Sequence, residues 1–158
     1  MNRKTNEWTD RYVPPQKSLW NGRCDGGDSK RFHEIVQCVD LRENTPDCAY
    51  SGFGLIGFSC DEGIRRNQGR PGACEGPDSF RKSLAKHPFN PVMQQPLFDI
   101  GNISCPDERL SLSQEALGML VGRMLDRKIL PIAIGGGHEI AWGTYQGIRR
   151  TYPDKTVA

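Results

Sequence analysis

Ile129-Leu130-Pro131-Ile132-Ala133-Ile134-Gly135-Gly136-Gly137-His138-Glu139 is the stretch on which the fold turns. Its first six residues are apolar on both pleat faces, the pattern of a central strand in a parallel sheet, which helices cover on both sides. Pro131 has no amide proton for a ladder, so the paired part of this strand is expected to begin at Pro131. Three glycines end the run, and His138 stands where a helix reaching to about Thr151 is expected to start.

Just upstream, Ala116, Leu117, Leu120, Val121, Met124 and Leu125 recur at helical spacing, predicting a helix from about Leu112 to Arg127. Ser111 and Gln114 fit a capping box at its start. Phe53 to Phe58 reads as a second buried strand, followed by a glycine- and arginine-rich loop from Asp61 to Gly76. A helix is expected from Pro77 to about Lys86, with proline in the first turn where it costs least, and a strand at Leu97 to Ile100. Strands alternating with helices predict an α/β fold, a three-layer α/β/α arrangement around a parallel sheet. Residues 1–50, with Pro14-Pro15, Gly26-Gly27 and Pro46, read as an irregular N-terminal extension. Their one apolar patch, Ile35 to Val39, suits a strand or a helical turn. Residues 51–158 then hold the α/β unit. Thr156-Val157-Ala158 looks like the opening of another strand, so the chain is expected to be a truncated piece of a larger domain.

The chain has 158 residues and a formal net charge of +2. No concentrated basic face marks a nucleic-acid binder, and no apolar run approaches a membrane span. The polar N-terminus lacks a signal-peptide pattern, which predicts a cytoplasmic protein. Six cysteines occur without a C-x-x-C pair, so reduced thiols are the expectation, with disulfides as the alternative their even number leaves open.

His138, after three glycines at a strand's carboxyl end, is the residue most suited to chemistry, because ligands collect at that end of a parallel sheet. A metal ligand, a phosphate cradle at a helix start and a merely capping or buried histidine all fit the residues alone. The phosphate reading lacks the Gly-Lys-Ser/Thr that normally accompanies it.

Gly135-Gly136-Gly137-His138-Glu139-Ile140-Ala141 resembles the first metal-ligand motif of the arginase (ureohydrolase) family. Arginases and agmatinases usually carry Gly-Gly-Asp-His-Ser there; the glycine-rich version is similar to the formimidoylglutamase branch. Trp20-Asn21-Gly22-Arg23-Cys24-Asp25 and the run from Gly57 to Ala73, with Glu75-Gly76-Pro77 and Arg81, share that resemblance. It implies an arginase/deacetylase-like sheet, two Mn²⁺ ions per complete site, His138 as one metal ligand, and a homo-oligomer when complete. It also implies metal-assisted hydrolysis of N-formimidoyl-L-glutamate, a small-molecule substrate, to glutamate and formamide in histidine degradation. Because that substrate has two carboxylates, Arg65, Arg66, Asn67 and Arg70 are candidate substrate-binding residues, guanidinium being the bidentate partner of carboxylate. A solvated basic loop paired with Asp61 and Glu62 is the alternative. The family's later ligands, Asp-x-His-x-Asp and Asp-x-Asp, are absent: the histidines are 33, 87 and 138, and none is so flanked. No catalytic residue is therefore assigned within this chain, and the piece alone is expected to be inactive. A guanidino hydrolase such as agmatinase, or a non-catalytic α/β fragment needing a partner segment, are the other readings.

Overall fold

The computed structural model describes residues 8–26, 29–43, 51–90 and 95–156. Val157 and Ala158, read above as part of an opening strand, lie outside them. The described elements are β1 (Tyr12–Val13), α1 (Phe32–Ile35), β2 (Gln37–Cys38), β3 (Gly52–Ser59), α2 (Glu62–Arg66), α3 (Gly76–Leu84), β4 (Leu97–Ser104), α4 (Leu110–Asp126), β5 (Ile129–Gly135) and α5 (Ile140–Thr151). The sheet runs β1-β4-β3-β5, with β2 also on β4.

The fold is α/β, but the sheet is mixed, not wholly parallel. β3 pairs in parallel with β4 and with β5, whereas β1 pairs antiparallel with β4. Two short strands from the N-terminal segment share the outer edge of β4: β1 opposite Asn102 and Ile103, β2 opposite Phe98 and Asp99. The apolar patch at 35–39 thus becomes both of its alternatives, the end of a helical turn and a strand. Gly101 makes the β1 contact possible. It has φ +86°, and a Cβ there would lie 2.2 Å from the Val13 carbonyl oxygen, so a side chain is excluded twice over.

Each face of the sheet buries a separate cluster. Ile56, Phe58, Ile100 and Ile103 pack with Leu117, Leu120, Val121 and Met124 of α4, while Leu55 and Leu97 pack with Trp20, Val36 and Ala85 on the α3 side. The stripe read from the sequence is the buried stripe of α4. Its expected capping box does not form: Leu110 opens the helix, two residues earlier than expected, and the Arg109 side chain at the cap bonds no helix amide. Gln114 turns away instead and donates from Nε2 to the Glu139 carbonyl at 2.8 Å. That bond satisfies a buried amide, which outweighs a cap that water can replace.

β5 is the other departure. It pairs with β3 from Ile129 onward, two residues before Pro131, and it lies at the end of the described sheet. Proline is tolerated on such an edge because its missing N–H can face away from the neighbour. Ile129 is buried, but Leu130 and Ile132 are 56% and 39% exposed.

The least expected core element is ionic. Arg81 of α3 and Asp99 of β4 are 2% and 0% exposed. Arg81 donates from Nε and Nη2 to the two Asp99 carboxylate oxygens at 2.9 and 2.8 Å, and from Nη1 to Asn102 Oδ1 at 2.8 Å. The Trp20 indole N–H adds a bond to Asp99 at 2.7 Å. A bidentate pair with its remaining valences filled is the form in which charge survives burial.

Candidate metal centre

Two loops meet at the carboxyl ends of β3 and β5. The Gly136 amide donates to the Phe58 carbonyl at 2.8 Å, tying the glycine turn to β3. A Cβ on Gly136 would fall 1.9 Å from the Cys60 carbonyl oxygen, so only glycine lets the two chains approach this closely. His138 follows this turn and is exposed. α5 begins at Ile140, two residues beyond the expected start, so His138 lies in the connecting turn.

Glu139, the residue after His138, is the N-cap residue of α5. Its side chain makes no capping bond. Its carboxylate is wedged between the two loops, close to Gly63 and Ile64 of α2 on one side and Gly137 on the other, and Oε1 is buried with no hydrogen-bond partner in the structure. Nothing in sequence marked this position beyond adjacency to His138.

The arginine segment is better ordered than a loop. Arg65 and Arg66 lie on α2, with Asn67 as its C-terminal cap, and all three are exposed, as is Arg70. Arg66 Nε pairs with Glu62 at 2.8 Å and its Nη2 donates to the Glu108 carbonyl at 3.0 Å. Arg65 is 3.9 Å from Glu62. Asp61 is not an arginine partner. Its oxygens accept from the Gly72 and Cys74 amides at 2.9 and 2.8 Å, closing the segment between them. Burial would push the Asp61 carboxyl up, but those amides, with the Cys74 thiol and the Arg65 charge, outweigh it and hold it below the usual carboxylate range. Neighbouring Cys60 is pushed up to about 12 by burial, with Cys105 adding to the effect. So the structure brings α2 against the His138 turn through Glu139, while Arg70 stands exposed without an ion-pair partner among the described residues.

Manganese can be tested against these residues. Two divalent ions need several carboxylates with the imidazole. Glu139 is the carboxylate beside His138 at this end of the sheet, but among the described residues no His, Cys, Asp or Glu trio of ligating geometry includes His138. The chain by itself does not fit a two-metal centre.

Residues 51–158 match the model of the arginase family. The chain belongs to the arginase family. It is similar to formimidoylglutamase of Chromobacterium violaceum, 40% identical over 88% of this chain and 43% of that enzyme. Formimidoylglutamase of Geobacillus thermodenitrificans is 42% identical over 87% and 44%. Among solved structures, Trypanosoma cruzi formiminoglutamase with Mn²⁺ aligns with a TM-score of 0.63 and 28% identity, covering 80% of this chain and 42% of that one. This arginase-family chain therefore spans a little under half the length of the relatives it matches. Among the described residues, no helix is long and apolar enough to cross a membrane.

Proposed function

We propose that this arginase-family chain contributes one wall of a manganese-dependent formimidoylglutamase, which hydrolyses N-formimidoyl-L-glutamate to L-glutamate and formamide in cytoplasmic histidine degradation. The observation that carries the reading is the glycine turn after β5, which presents an exposed His138 at a strand's carboxyl end beside α2. The names of the relatives support the substrate. His138 serves as one ligand of a site that takes two Mn²⁺ when complete, and the carboxylate ligands come from residues of a longer protein. Arg65, Arg66, Asn67 and Arg70 bind the two substrate carboxylates, Arg70 being the guanidinium not already engaged. Residues 51–158 form the first part of the hydrolase domain and 1–50 its extension, and the complete enzyme is a homo-oligomer.

The test is complementation. The chain is coexpressed with the part of the Chromobacterium violaceum enzyme that it does not match, and formamide release is measured with added Mn²⁺. Activity on formimidoylglutamate and not on agmatine is expected, with a loss of about a hundredfold or more in His138→Ala. An assembled complex that prefers agmatine, or one indifferent to His138→Ala, overturns the reading. Calorimetry on the chain alone should show no tight two-ion Mn²⁺ binding; two tightly bound ions per chain would contradict the division of ligands.

A further inference from the structure

A second cluster of ligating side chains lies at the opposite end of α3 from the His138 turn. Gly76, at the start of α3, approaches the Gly135 carbonyl, whereas Ala85, just past its end, meets α1. There Cys24, His33 and Glu34 each offer one ligand atom, all within 4.8 Å of one another. Cys24 Sγ and His33 Nε2 are 3.8 Å apart. A tetrahedral zinc ion, with bonds of about 2.3 Å to sulfur and about 2.0 Å to nitrogen, places those atoms about 3.5 Å apart.

The imidazole is oriented for this use. The Ala85 carbonyl accepts from the His33 backbone amide at 3.2 Å and lies 3.1 Å from Nδ1. With Nδ1–H donating there, the free lone pair is on Nε2, which faces the Cys24 sulfur. A backbone carbonyl fixing the far nitrogen is the usual support of a ligating histidine. The ring is further held against Gly22, where a Cβ would fall 2.8 Å from Nδ1. Glu34 is held by the Arg31 amide, which donates to Oε2 at 2.8 Å. Asp25, the nearest other carboxylate in sequence, is taken by Arg23 and Arg31 at 2.8 and 2.6 Å.

We propose that Cys24, His33 and Glu34 form a three-donor site for a borderline divalent cation of the zinc class. A thiolate with an imidazole selects such an ion over manganese, which prefers oxygen ligands. Three protein donors leave a fourth position for water or another ligand.

Cobalt(II) is the probe. The reduced, metal-free chain is titrated with Co²⁺ and then with Zn²⁺, following near-ultraviolet absorption. One Co²⁺ per chain with a thiolate-to-cobalt charge-transfer band is expected, and Zn²⁺ should abolish the band by displacement. Cys24→Ser, at an exposed position and checked by circular dichroism, should remove it. His33→Gln and Glu34→Gln should each weaken Co²⁺ binding about tenfold or more. His138→Ala should change nothing, which separates this site from the proposed manganese centre. Absence of the band, its survival in Cys24→Ser, or unchanged affinity in His33→Gln and Glu34→Gln overturns the proposal.

Discussion

β4 and β5 exchange the positions that their compositions imply. β5 is apolar throughout, yet among the described residues it has one neighbour, and it shows Leu130 and Ile132 to solvent. β4 contains Asp99 and Asn102, yet it has partners on both sides and is buried over seven of its eight residues. Hydrophobicity records what a strand needs covered, not what covers it. Charge, in turn, does not bar a strand from the centre when a cation on the packed helix answers it.

The most severe way to break this contrast is Arg81→Leu. It leaves the Asp99 carboxylate uncompensated in a fully buried place, and a loss of about 3–5 kcal/mol in urea unfolding is expected. The double variant Arg81→Leu with Asp99→Leu should recover most of it; if the double is as unstable as the single, the ion pair is not what holds β4. Asp61, at the end of β3, is the intermediate case. Asp61→Ala should cost about 1–3 kcal/mol through its two amide bonds. Because the folded carboxyl is held below its unfolded value near ~3.9, this contribution is full above that pH and is lost as pH falls through the lower folded value. Hydrogen exchange at the Gly72 and Cys74 amides should accelerate over that acid range relative to the α4 amides. The smallest effect is expected at the exposed face of β5, where Ile132→Thr should stay within about 0.5 kcal/mol. A cost as large as that of a core residue would show that this face is covered in the chain as it stands.

The sequence disclosed those parts that repeat or alternate. The α4 stripe, the β3 run and the glycine turn after β5 each follow from local periodicity and backbone sterics. β1 did not, because Tyr12-Val13 is a strand only through Gly101 on a partner far along the chain. The pairing of Arg81 with Asp99 was equally hidden: its residues lie on different elements, and neither has a sequence context that foretells burial. At the candidate centre His138 stood out by its glycines. The lodging of the Glu139 carboxylate against α2 needed the approach of two loops that share no motif.

That lodging ties residues 137 and 139 into a single volume. A Cβ on Gly137 would fall 2.1 Å from Glu139 Oε2, so any side chain there must evict the glutamate carboxylate. The Gly-Gly-Asp-His-Ser that arginases and agmatinases usually carry would, on this backbone, set an acid before the histidine where this chain sets one after it. An aspartate introduced at 137 moves the Glu139 carboxylate out of its place against α2, unless a smaller residue stands at 139.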